Sequence, residues 1–509
     1  MLQYRCPLAD VCHRRNEASK EKCVQEGSVS TFVREAKGLC VDASAALKSN
    51  LLLVLGSIAW WGSHFLLLWN VPIATLDSFM SGYDGRFVLT IAGTVVALGA
   101  LALLAWRKPN LSLYAHPASY AMFAGCASLA LVLLVIPSIV EAGAFAGAVG
   151  ALLSGIGNSF ALVLYGELHA RMGYRFVPLA CAVETVAGVV VFALLSQLPM
   201  IAEMVAAAML VLIAAALYFT SARSPERSAD VPAPTRVDMT VRSLVALAML
   251  TGFAYGLLRT FAIGGLEAAS MRAGMTSEAI GTCLSALLLV AVFFLQYRQS
   301  LFEQCLLFVV PLVATGMLLI SVQGVSVVAP MAVNTGGFAC FFNLMWYFAA
   351  VLAARSTRHR VTFLVALLFF GSQFGQLLGA LVPVQFANAF SSGLMYMLLL
   401  VLTLFLYWRA KSLRSAAEAP NQAAALSAVY GEDSVSSQSA VWVKQFGLSP
   451  REAEIAQLLV QRIPYKQIGE ELFVSGNTVK THVRNIYKKA DVSSREELLE
   501  KLNDLAKKG

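Results

Sequence analysis

The stretch SARSPERSADVPAPTRVDMTVR, residues 221–242, is the only long polar break in an apolar region running from about residue 50 to residue 408. Its Pro, Ser and Arg content reads as a flexible linker. Six apolar runs precede it, at 51–70, 87–106, 118–137, 143–165, 176–196 and 200–219. Six follow, at 243–264, 279–297, 304–322, 327–354, 361–381 and 393–408. Each is long enough to cross a hydrocarbon layer of roughly 30 Å at about 1.5 Å per residue. The pattern predicts an all-α chain whose polytopic membrane domain, residues 50–408, has about twelve spans in two halves, 50–220 and 243–408. Composition agrees: of 509 residues 58% are hydrophobic and 13% charged, against about 45–50% and about 25% in soluble domains. That excludes a water-soluble globule, a disordered chain and a collagen. Nine cysteines in such a length are no disulfide framework. The first long apolar run starts near Leu51, after a charged segment, so no secretory leader is expected.

Lys and Arg orient the spans. They gather on alternate connections: Arg107 and Lys108; Arg171 and Arg175; Arg223, Arg227, Arg236 and Arg242; Arg298; Arg355, Arg358 and Arg360. The other set offers only Arg86 and Arg272. Residues 1–49 and the stretch after residue 408 are basic as well. The expectation is a multi-pass protein of the inner (cytoplasmic) membrane with both termini cytoplasmic.

This layout resembles the major facilitator superfamily over roughly residues 50–410. The resemblance implies two six-span halves around a central cavity. Those carriers have a loop with glycine and an acid after the second span. Here Ala105-Trp106-Arg107-Lys108-Pro109-Asn110 keeps the basic pair and lacks the rest, which favours sensing over transport.

After Trp408 the composition changes. Residues 409–440 are rich in Ala and Ser and read as a linker; residues 441–509 carry short, capped helices. Ser449-Pro450-Arg451-Glu452 is a capping box with Pro at the first helical position. Its helix buries Ile455, Leu458 and Leu459; a second carries Ile468 and Leu472. A third starts at Ser475 and buries Val479, Val483, Ile486 and Ala490. Ser494-Arg495-Glu496-Glu497 opens a fourth. Four short helices with a tight turn after the second make a helix-turn-helix. The third has no acidic residue, and Asn477, Lys480, Thr481, Arg484 and Lys488 form a polar stripe opposite its apolar face. Such a stripe suits the major groove, while Ser475, Asn477 and Thr478 at the helix start suit phosphate oxygens.

The string Leu448-Ser449-Pro450-Arg451-Glu452, Lys466-Gln467-Ile468, Val474-Ser475, Thr478-Val479-Lys480-Thr481-His482-Val483, Ile486-Tyr487 and Arg495 closely resembles the LuxR-type helix-turn-helix. The resemblance implies base contacts from Lys480, Thr481 and Arg484, and phosphate contacts from Lys466, Thr478 and Lys488. It also implies a homodimer through the last helix on double-stranded promoter DNA. Arg462, Tyr465 and Gly469 depart from the family's usual Gly, Asn and Ala. His482, beside the buried face, reads as structural.

A DNA reader behind a membrane domain suggests a one-component transcription regulator responding to a small-molecule inducer. Ionisable groups near mid-bilayer are costly and usually have a task. Glu184 and Arg259, in opposite halves, are the leading ligand-sensing candidates and could pair with each other; Asn158, Asn334, Asn343, Gln373 and Gln376 add amides. Phe342, Trp346 and Tyr347 could stack on a ring, which would suit an aromatic inducer, and His64 lies in the first span. The competing reading is that these groups only hold helices together. The alternative function is a small-molecule transporter with an attached regulatory domain. No phosphate-cradling glycine loop, HExxH or fitting nucleophile set is read, so neither enzyme activity nor a cofactor is expected. Cys6, Cys12, His13, Cys23 and Cys40 match no compact metal-binding spacing, and no metal is assigned.

Overall fold

A segment crossing hydrocarbon must satisfy its own backbone amides, so apolar runs of this length become helices. The computed structural model describes residues 37–69, 85–135, 144–224, 240–264, 269–296, 301–319, 328–355, 360–382, 445–460 and 476–498, with isolated positions between and after them. The chain divides into two compact units, Met1–Phe405 and Leu406–Gly509.

In the first unit α1 is Lys37–Ser49 and α2 Leu51–Trp69. There follow α3 (Gly85–Arg107), α4 (Pro117–Val135), α5 (Ala144–Met172), α6 (Val177–Leu195) and α7 (Met200–Ala222). The second half holds α8 (Val241–Gly264), α9 (Ala269–Leu295), α10 (Leu301–Leu319), α11 (Val328–Arg355) and α12 (Val361–Ala380). Among the described residues nine helices are long and apolar enough to cross a membrane, and α1–α2, bent by 81°, reaches that length only if its two arms are counted together. The helix α10 coincides with the ninth expected run and carries Pro311 inside it. Eleven of the twelve runs thus correspond to helices; the run 393–408 lies outside the described residues but for Gly393. The helix α9 starts at Ala269, ahead of the expected 279, because polar Ser277 and Glu278 are buried inside it rather than placed in a loop.

Lipid offers no hydrophobic reward for helix association, so close backbone approach has to supply it. The pair α8–α12 shows how. A Cβ on Gly375 or Gly379 would collide with the carbonyl oxygens of Met249 or Phe253; one on Gly252 or Gly256 would meet those of Ser372 or Gln376. Glycines at i and i+4 on both helices let the backbones touch. Across the two halves α3 packs on α12, α6 on α9, and α5 on α11 and α12. Gly166 of α5 admits Trp346 and Val365, and the Trp346 indole N–H donates to the Leu162 carbonyl at 2.9 Å.

The helices alternate direction, so the ends of α3, α5 and α7 and the starts of α8 and α12 share one face, the one carrying Arg107, Arg171, Arg223 and Arg360. At this basic face the Glu167 carboxylate accepts the backbone N–H of Leu113 at 3.0 Å and of Tyr114 at 2.7 Å. The Thr362 hydroxyl, at the start of α12, reaches both this carboxylate and the Leu111 carbonyl. One buried acid thereby ties the α3–α4 connection and α5 to the opposite half. A turn further on, Arg171 donates to the carbonyls of Ala222 and Ser224 at 2.9 and 3.1 Å, where the polar break begins.

In the second unit α13 is Pro450–Val460 and α14 Gly476–Ala490, and residues 495–498 are helical. Leu448, Ile455, Leu459, Ile468, Val479, Val483, Ile486 and Leu498 form its core. The expected boundary at 408/409 lies outside the described residues.

The close packing of α8 and α12 predicts that Gly375→Val, which sets a branched side chain against Met249, prevents the detergent-extracted protein from eluting as a monodisperse peak on size-exclusion chromatography. Gly125→Val, where a Cβ would meet nothing within 4 Å, should leave that peak unchanged.

Candidate functional site

Helix α14 owes its position to a set of caps. The Ser449 N–H donates to Glu452 Oε2 at 2.8 Å, and the Glu452 N–H donates to Ser449 Oγ at 3.2 Å, the reciprocal box expected at the start of α13. Glu452 is also gripped by Lys489 Nζ of α14 at 2.6 Å, and that ammonium donates to the Gly447 carbonyl at 3.0 Å as well. Burial alone would raise the Glu452 carboxyl, but the Lys489 ammonium and the Ser449 donors hold it below the ordinary carboxylate range. Lys489 therefore braces α13 against α14. Arg495 donates to the carbonyls of Leu459 and Ile463 at 2.9 and 3.2 Å, closing the end of α13. In the second box the Glu497 N–H donates to Ser494 Oγ at 3.2 Å as expected, and its carboxylate also accepts from Ser493, through the N–H at 2.7 Å and the hydroxyl at 2.9 Å. Those donors, the Ser493 N–H foremost, hold the Glu497 carboxyl low.

Helix α14 ends on Asp491, whose φ of 52° puts it in the left-handed region usually filled by glycine. Lys501 Nζ caps the freed carbonyls of Ala490 and Asp491 at 2.8 and 3.3 Å. With Val479, Val483, Ile486 and Ala490 buried, the same helix exposes Lys480, Thr481, Arg484 and Lys488, and Thr478 at its first turn. Asn477 is within the helix, whereas Lys466 and Ser475 lie outside the described residues. His482 is half-buried. Tyr465 packs against the core with its hydroxyl 3.4 Å from that of Tyr487.

The membrane unit holds two adjoining recesses, one lined mainly by the first half with Arg259 at its edge and one lined by both halves. One is lined by Trp60, His64, Arg86, Phe87, Phe123, Asn158 and Arg259 among others. The other is lined by Trp61, Tyr255, Glu278, Phe342, Asn343, Gln373 and Gln376 among others; His64, Phe87, Thr90 and Asn158 belong to both. The Arg259 guanidinium sits 4.4 Å over the Phe87 ring, and the Tyr255 hydroxyl donates to Glu278 at 3.4 Å. Tyr255 in turn stacks on Phe338, with centroids 4.2 Å apart. The cavity thus offers both charge signs, amides and aromatic walls.

Of the residues expected to sense ligand, Arg259, Asn158, Asn343 and Gln373 line this cavity. Glu184 and Asn334 are not among the lining residues. Asn334 Nδ2 donates to the Val313 carbonyl at 3.4 Å, joining α11 to α10. Glu184 is fully buried, accepts from the Tyr165 hydroxyl, and meets His169 Nε2 at 3.0 and 3.1 Å. Glu184 is thus engaged with His169 instead of the anticipated Arg259, whose guanidinium lies over the Phe87 ring. Trp346 and Tyr347 are buried in the bundle, bonded to Leu162 and Gln296. Glu278 and Arg86 escaped the sequence reading because charges at the edge of an apolar run look like loop residues. Cys40 is exposed on α1; Cys6, Cys12, His13 and Cys23 lie outside the described residues.

His169 Nδ1 lies 2.8 Å from the Tyr165 carbonyl, which can only accept, so Nδ1 carries a proton.

Comparison with known proteins places these features. Residues 447–502 match the bacterial regulatory proteins of the luxR family. The chain is 52% identical over 48 residues to the transcriptional regulatory protein LiaR of Bacillus subtilis (strain 168), which is 9% of this chain and 23% of that protein. It is 40% identical over 55 residues to the spore germination protein GerE of the same organism, 11% of this chain and 74% of that one. The chain thus spans under a quarter of LiaR but three quarters of GerE. The human organic anion transporter MFSD10 (TETRAN) superposes with a TM-score of 0.50 at 15% identity, over 70% of this chain and 98% of its own. At that identity the likeness is one of fold: the membrane unit has the carrier-like fold.

Removing one member of a buried ion pair strands its partner at a cost of about 3–5 kcal/mol. His169→Phe should accordingly deplete folded protein in the membrane, and His169→Phe with Glu184→Gln should recover most of it. Quantitative immunoblotting of membrane fractions measures both.

Proposed function

The chain belongs, through residues 447–502, to the luxR family of bacterial regulatory proteins, and on that premise we propose that it is a membrane-anchored one-component transcription regulator. Its membrane unit senses a small molecule and its C-terminal unit binds promoter DNA. The observation that carries the sensing half of this reading is the cavity between the two six-run halves, where Arg259, Glu278, Asn158, Asn343 and Gln373 converge among aromatic walls. A cavity bounded by both halves changes shape when they move, so a ligand that fits one arrangement better shifts the population toward it. Aromatic inducers suit the walls. Glu184 and Asn334, each engaged inside the bundle, serve its architecture.

On the DNA side, Lys480, Thr481 and Arg484 read base edges, with Arg or Lys donating to guanine and the Thr methyl meeting thymine. Lys466, Ser475, Asn477, Thr478 and Lys488 hold the phosphates, and two copies meet through the last helix. The excess of Lys and Arg on one face sets that face, and with it both termini, toward the cytoplasm of an inner membrane.

Transcript profiling in the native host tests both halves at once. Lys480→Ala with Arg484→Ala should change the expression of a defined gene set. Arg259→Gln with Gln373→Ala, at equal membrane level, should change the same set. A cavity variant whose transcripts match the wild type refutes sensing. Uptake of a candidate ligand into vesicles, lost on the same substitutions, would establish transport in its place.

A further inference from the structure

Helix α1 rests on both halves of the bundle. Its Ala43 is 1% exposed and packs with Met172, Phe176 and Ala180 of the first half and with Phe293 of the second. The helix turns through 81° into α2, so it lies across the basic face rather than continuing the span. Polar bonds follow the same course. Arg175, just after α5, donates to Asp42 of α1 at 2.9 Å. The Arg175 carbonyl accepts from Gln296 Nε2, after α9, at 3.1 Å, and Gln296 Oε1 accepts from the Tyr347 hydroxyl of α11 at 3.2 Å. A line of contacts thus runs from α1 through the first half into the second.

We propose that α1 is a strap across the seam between the halves, docking only while they meet at the basic face and thereby holding that face closed. The reason is geometric. Phe293 of the second half belongs to the same buried cluster as Ala43, Met172, Phe176 and Ala180, with Leu179 and Phe294 packed against it. Separating the halves here splits the site in two and breaks the Gln296–Arg175 bond, so a docked strap and an open face exclude each other. Linkage makes the relation reciprocal: whatever removes the strap favours opening. This assignment concerns the membrane unit alone and needs neither the ligand nor the DNA-binding activity proposed above.

The test uses the full chain in membrane vesicles. Val365, 0% exposed and in contact with Gly166 across the seam, becomes a reporter as Val365→Cys. Modification of its thiol by N-ethylmaleimide is followed by peptide mass spectrometry. Ala43→Glu puts a carboxylate into the apolar site, and a chain beginning at residue 50 lacks the strap altogether. Both should raise the modification rate by about tenfold, within the usual span of coupling effects. Cys181, 0% exposed within the first half, should stay unmodified. Asp42→Arg, removing a partly exposed ion pair, should give a smaller rise that Arg175→Asp in the same chain reverses. No rise at the reporter in the shortened chain, or an equal rise at Cys181 and the reporter, overturns the proposal.

Discussion

The Glu167 carboxylate is the constraint on which the membrane unit's arrangement turns. Two backbone N–H groups of the α3–α4 connection and the Thr362 hydroxyl of the opposite half converge on it. An acid this deeply buried is tolerable only when its oxygens are satisfied, and satisfying them draws three segments to one point. The same face carries the Gln296–Arg175 bond between the halves, and the Trp346–Leu162 bond joins them deeper in the bundle. Polar closure therefore concentrates at the basic face. The cavity lies farther along the same seam, where His64, Phe87, Tyr255 and Arg259 come from the helix segments remote from that face.

Much of this was legible in the sequence, because hydrocarbon imposes a length on every crossing segment. The runs near 87–106, 200–219 and 361–381 agree with α3, α7 and α12 to within about three residues. What the periodicity hid was polar: Glu278 and Arg86 stand at the edges of apolar runs, and nothing in a hydropathy pattern separates a loop charge from one folded into a cavity. Pairing was equally invisible. Glu184 meets His169, which lies fifteen residues away on α5, and not Arg259, although both alternatives bring opposite charges together in lipid. Which acid meets which base is decided by how the helices pack, through glycines whose role appears only when the facing backbone is known.

The C-terminal unit was more transparent because its signals are local. Caps, a basic stripe and an apolar stripe lie within one or two turns of each other, and the Ser449–Glu452 box forms as its spacing requires. The exceptions are long-range. Lys489 is a basic residue of the recognition helix by sequence, yet it braces Glu452, 37 residues earlier. Arg495 closes α13 from 36 residues away. Of the basic residues on α14, Lys489 thus fixes the helix against α13, while Lys480, Arg484 and Lys488 stand exposed beside it.

Chromatin immunoprecipitation of the intact, membrane-embedded chain addresses the central claim most directly, since it asks whether a protein held in lipid occupies specific DNA. The account predicts enrichment at a small number of discrete promoters, abolished when Lys480 and Arg484 are both alanine while the membrane level is unchanged. Recovery of no discrete site, or the same sites from the doubly substituted protein, would contradict it.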